Sequence, residues 1–179
     1  MTEVERQLGP DSVFAWHWLR DDMTSASGIE PPWQVGEIRH VEGKIALCET
    51  GYHHSPSPFD ALEYAQGNVL CLDEASAPVA ADSTKAVSRS KRLITYHNVS
   101  KELRLCACTY AERALIRERE AGREPDPCSW AAIEVGRRYV CGEATEAELM
   151  EAAWEAAADL VKSWSPQAAA AAKEGQHIT

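Results

Sequence analysis

From Phe14 to Leu19 the chain reads Phe-Ala-Trp-His-Trp-Leu. Alternation with a period of two predicts a first strand, with Phe14, Trp16 and Trp18 on one face and His17 on the other. A polar stretch rich in Gly, Ser and Pro, Asp21 to Pro32, predicts a loop long enough to cover a pocket. A short strand over Arg39–Val41 follows Gln34–Ile38 and ends at a Glu42-Gly43 turn. The apolar run Ile45–Cys48 predicts another strand, leading into a turn at Gly51 and the pair His53-His54. Pro58 then opens a short helix, with apolar positions of helical spacing between Asp60 and Tyr64. Val69–Leu72 reads as a second buried strand, and Leu93–Tyr96, after a linker containing Pro78, as a last one.

Beyond Asn98 the period changes from two to that of a helix. Asn98 caps a helix through Arg119, with Leu103, Ala107, Tyr110, Ala114 and Leu115 as its apolar stripe. Asp126-Pro127 starts a second helix, because Asp caps and Pro fits the first turn; it carries Trp130, Ile133, Val135 and Tyr139 and stops near Gly142. Thr145 and Glu148 have the spacing of a capping box for a third helix, to about Trp164, where Ser165-Pro166 breaks it. The expected fold class is α+β: a small twisted sheet in the N-terminal half packed with three C-terminal helices. One domain spans 1–166, sheet-rich over 12–96 and helical over 98–165, and 167–179 is a flexible Ala-rich tail.

Composition narrows the functions open to such a fold. With 28 acidic and 18 basic side chains the formal charge is −10, which argues against binding a nucleic-acid polymer or an anionic membrane. No stretch approaches a membrane span and the first residues lack the form of a signal peptide, so the expected location is cytoplasmic. The six cysteines lie mostly in apolar segments and read as buried thiols. Cys106-Ala107-Cys108 lacks the spacing of a zinc knuckle, so neither a metal nor a cofactor is expected.

Two groups could carry chemistry. His53 and His54, followed by Ser55 and the helix start, could donate to or accept from a polar ligand; adjacent strand residues face opposite ways, so at most one faces a given pocket. The other role for such a histidine is to satisfy backbone groups at the turn. Lys85, Arg89, Lys91 and Arg92, interleaved with Ser83, Thr84, Ser88 and Ser90, are the densest basic cluster and could hold one or two phosphates. They could equally keep an edge strand soluble. Asp73-Glu74 is a single acidic dipeptide and weak evidence for a paired acid site. No phosphate loop, dinucleotide fingerprint, His-Glu-x-x-His motif or nucleophile elbow is present.

Cys48, Gly51, Tyr52, His53 and Pro58 to Leu62 resemble a small uncharacterised family encoded by bacteriophages and bacteria, in which Cys-x-x-Gly-Phe/Tyr-His precedes a Pro-Leu/Phe-Asp-Ala-Leu helix start. The resemblance covers about Phe14 to Tyr96 and implies a phage or mobile-element setting. The order of elements is also similar to the ADP-ribosyltransferase fold, with His17 at the basic position that contacts NAD, Tyr52 to Ser55 at the middle motif and Ala61 to Ala65 as the helix over the nicotinamide site. That fold carries a catalytic Glu on a late strand, whereas Ser83 to Ile94 contains none. The resemblance therefore implies a pocket that binds a nucleotide-like ligand without consuming it.

The resulting expectation is a binding protein that sequesters an anionic nucleotide-derived small molecule, as a phage counter-defence protein capturing a host immune signalling nucleotide in the host cytosol. His17, His53, His54 and Ser55 line the site, Lys85 and Arg89 hold phosphate, and Trp18 or Trp33 stacks on a ring. Two alternatives stay open. One is an ADP-ribosyltransferase-like or nucleotide-cleaving enzyme with His53 or His54 as base and Glu63 or Glu74 as acid. The other is an inhibitor that blocks a host protein through its acidic helical face. The helices could also supply a homodimer surface.

Overall fold

The computed structural model describes residues 8–158. The fold is α+β, with small antiparallel sheets in the N-terminal half and three helices in the C-terminal half. Contacts divide the chain into two compact units that meet at Ser100 and Lys101. Each is described by itself.

In the N-terminal unit, β1 (Val13–Leu19), β4 (Val69–Ala75), β7 (Ser90–Asn98) and β2 (Ile38–His40) form one antiparallel sheet in that order. A second sheet has the order β3 (Tyr52–His54), β6 (Ala86–Ser88) and β5 (Ala80–Ala81). The two sheets are joined at Trp16 and Ser55, whose backbones exchange both hydrogen bonds, 2.9 and 2.8 Å long. Strand alternation builds the core. Ala15 and Leu19 of β1, the odd-numbered residues Val69 to Ala75 of β4, and Lys91 and Leu93 of β7 are all buried. Leu19, Val69, Cys71 and Leu93 pack with Trp33 and Tyr52, and Met23 and Val41 seal the cluster.

The short helix α1 (Pro58–Leu62) starts as its sequence demands: the Ser57 hydroxyl accepts from the Asp60 N–H, and Pro58 occupies the first turn. The expected strand Ile45–Cys48 is not formed. Ala46 and Thr50 instead close a tight turn with the Thr50 N–H bonded to the Ala46 carbonyl at 3.0 Å, and Cys48 takes a left-handed φ of 66°. A β-type apolar run has been overridden by the chain reversal that leads into β3. Gly51, at φ 121°, completes that reversal.

In the C-terminal unit, α2 (Ser100–Glu120) begins where the Asn98 side chain accepts from the Ser100 N–H. Its apolar stripe differs from expectation: Tyr110 is 64% exposed, and Cys108 is the buried residue, facing Gly136 of α3 (Pro127–Cys141). Glu112 and Arg137 pair across the same two helices at 3.0 and 2.6 Å. Asp126 caps α3 through the Cys128 N–H, and Gly142 ends it in the left-handed conformation at φ 77°. Thr145 and Glu148 form the reciprocal capping box that opens α4, residues 146–158. The expected end of that helix near Trp164 and the tail 167–179 lie outside the described residues. Of the cysteines, Cys71 and Cys108 are buried but Cys48, Cys106 and Cys141 are exposed, so burial in apolar segments holds only in part. Among the described residues no helix is long and apolar enough to cross a membrane.

Candidate functional site

The N-terminal unit carries a half-open cavity of about 470 Å³. Its aromatic wall is Trp16, Trp18, Trp33, Tyr52 and Tyr64; Ser25, Ala26, Ser27 and Glu30 of the loop after β1 line another side, and Lys85 and Lys91 contribute cations. A volume of this size suits a ligand of nucleotide dimensions. Of the residues singled out in the sequence, His17, Trp18, Trp33, His53, His54, Ser55 and Lys85 line this one space. Arg89 does not: its guanidinium donates to the Val41 carbonyl at 2.9 Å. The basic cluster is therefore dispersed. Arg92 pairs with Glu74 on the neighbouring strand, Lys91 turns into the core, and Lys85 lies 4.5 Å from the centroid of the Tyr64 ring.

The chemical centre of the site is a buried trio from three adjacent strands. His17 of β1 sets its Nδ1 against Oδ2 of Asp73 on β4, and Lys91 of β7 reaches the same oxygen at 3.3 Å. Burial alone would push the Asp73 carboxyl up; the Lys91 ammonium and His17 overcome it and hold the group below its ordinary range. His17 is held low by burial first and by Lys91 second, against the pull of Asp73. A neutral imidazole beside a carboxylate places its proton on Nδ1, so Nε2 carries the lone pair. That Nε2 is buried and has no hydrogen-bond partner among the described residues, and the same holds for the Trp18 indole Nε1.

The other two histidines are spent differently. The Ser88 hydroxyl donates to the Ser76 carbonyl at 2.6 Å, so it must accept from His54 Nε2, 2.9 Å away. Burial, and then Lys91, push the His54 pKa down to about 4, which keeps the ring neutral near pH 7. His53 Nε2 accepts from the Cys48 N–H at 2.8 Å, and a further hydrogen bond runs to the Gly51 backbone. His53 is thus the clamp of the turn before β3, with burial and Lys85 lowering its pKa.

Trp33 is 3% exposed. Arg39 lies 4.0 Å and Lys91 5.1 Å from its ring centroid, and Tyr52 meets it edge-on at 5.6 Å, so it supports the wall more than it offers a face. Burial, with Glu30 alongside, raises the Tyr52 hydroxyl to about 12 and keeps it a donor. Glu30 is answered by Arg39 at 3.4 Å.

The sequence offers Asp73 only within the weak acidic dipeptide Asp73-Glu74, and leaves Lys91 in a basic cluster that could either hold phosphate or keep an edge strand soluble. The available signal was parity: both occupy inward positions of strands whose other inward residues are Cys71, Ala75 and Leu93. The family model described as "Domain of unknown function (DUF7666)" matches residues 13–113, more than half of the chain. No curated protein and no solved structure matches.

Proposed function

The chain belongs to the DUF7666 family, and we propose that its N-terminal unit is a receptor for an anionic, nucleotide-derived small molecule. The observation that carries this reading is the pair of buried, unpartnered ring nitrogens, His17 Nε2 and Trp18 Nε1, on residues that line the cavity. An unmet acceptor and an unmet donor in an apolar wall are costly, and a ligand that offers one of each relieves both. The aromatic wall accepts a planar base, and Lys85 takes the anionic end. The resemblance of the His17 strand and the Tyr52-His53-His54-Ser55 segment to the ADP-ribosyltransferase arrangement supports the same class of ligand. In a phage-infected cell such a receptor sequesters a host immune signalling nucleotide in the cytosol, and the charge of −10 turns nucleic-acid polymers away.

The test is mass spectrometry of small molecules released on heating protein that has been incubated with a nucleotide-rich lysate. A retained nucleotide-derived compound, lost in Lys85→Ala and His17→Gln while both variants keep the wild-type circular dichroism, is the expected result. An empty protein, or a ligand held equally by both variants, refutes the reading.

A further inference from the structure

We propose that this cavity does more than hold its ligand: His17 is a general base, positioned by Asp73, for hydrolysis of a phosphodiester bond in a nucleotide-derived substrate, a role that rests on the receptor reading. The three cavity histidines differ in what their rings are bonded to. His53 spends its ring on the backbone at Cys48 and Gly51, and His54 donates to Ser88, as imidazoles with structural roles do. His17 spends only Nδ1, on a carboxylate that is fully buried, and leaves Nε2 bare on a residue that lines the cavity. A carboxylate behind the far nitrogen fixes the tautomer and stabilises the imidazolium that forms when Nε2 takes a proton. Lys91, 3.3 Å from the same Asp73 oxygen, keeps that carboxylate ionised in the core.

The sequence suggests capture without turnover because the late strand lacks a Glu. The carboxylate that matters here lies on β4, and it acts through a histidine. In the step, Nε2 takes a proton from water and the water oxygen bonds to phosphorus. The bond from phosphorus to the leaving oxygen breaks, and that oxygen takes the proton back from Nε2. Diester and water give monoester and alcohol, and the imidazole returns neutral. Lys85 lies on the cavity wall, where it can hold the phosphate charge.

The experiment uses the full chain and the p-nitrophenyl ester of thymidine 5′-monophosphate, following p-nitrophenolate release. His17→Gln should lower kcat at saturating substrate by about a hundredfold or more, beyond the weaker binding that loss of its Nε2 contact brings. Asp73→Asn should lower kcat and move the acidic limb of the pH–rate profile, which a purely structural role would leave in place. Should Asp73→Asn fail to fold, His17→Gly takes its place: rescue by free imidazole supports the general base, and no rescue overturns it. Arg89→Gln, outside the cavity, should match wild type. In parallel, equilibrium dialysis measures binding of thymidine 5′-monophosphate. Binding with release no faster than in His17→Gln overturns the general base and leaves the receptor standing; neither binding nor release overturns both.

Discussion

Asp73 and Lys91 are diagonal neighbours on β4 and β7, with Nζ 3.3 Å from Oδ2 and side chains 0% and 3% exposed. An ion pair this deep repays its desolvation only while both partners are present. Lys91→Met or Asp73→Ala should each cost about 3–5 kcal/mol in urea unfolding. Asp73→Leu combined with Lys91→Met should recover most of that loss. Additive losses in the double variant would show that the pair is not energetically coupled.

Stability should fall on acidification as the two buried histidines are forced to take up protons. His54 has a folded pKa of about 4 against 6.5 when unfolded, and His17 shifts in the same direction. A group whose folded form prefers to be neutral contributes fully above the unfolded value and loses that contribution as pH falls toward the folded one. His54 alone then accounts for about 3 kcal/mol between neutral pH and pH 4. Asp73, with its pKa depressed, adds a second loss below the unfolded carboxyl value of about 3.9. Urea midpoints across this range should drop less in His54→Gln than in wild type; equal drops would remove His54 from the account.

Gly67 is required by a neighbouring backbone. A Cβ there would stand 2.5 Å from Arg20 Cα and 2.6 Å from the Leu19 carbonyl oxygen, atoms held by the end of β1. Gly67→Ala should destabilise by roughly 2 kcal/mol or more through overpacking. Thermal unfolding checks this, and an unchanged midpoint would mean that the loop after α1 moves aside at little cost.

The sequence favours one domain in which the helices complete the sheet, whereas contacts separate two units at Ser100. The first has its own buried cluster around Leu19, Trp33 and Leu93. A chain ending at Ser100 should therefore unfold cooperatively in urea. A fragment with native far-ultraviolet but no near-ultraviolet circular dichroism would favour the one-domain reading.

Local signals were legible wherever one residue sufficed. Asp126 and Gly142 bound α3, the Thr145–Glu148 box opens α4, and alternation over Phe14–Leu19 and the apolar run Val69–Leu72 give two of the strands. Ile45–Cys48 misled because apolar β-formers say nothing about a reversal imposed by the strand that follows. The site was half legible. Periodicity assigned His17 a face, but it cannot name the strands on either side. Asp73 and Lys91 meet only because β4 lies between β1 and β7. Arg89 and Lys91, two residues apart in sequence, have quite different surroundings, one bonded to a loop carbonyl and one in the core.

The Trp16–Ser55 bridge gives the cavity a seam. Trp16 and Ser55 both line that space, and two backbone hydrogen bonds stitch β1 to the segment after β3. Parting them spreads the wall without unravelling either sheet. The breathing of this joint, read as solvent exchange of the two amides, is then a direct gauge of how often the interior opens, and a bound guest should slow both amides together.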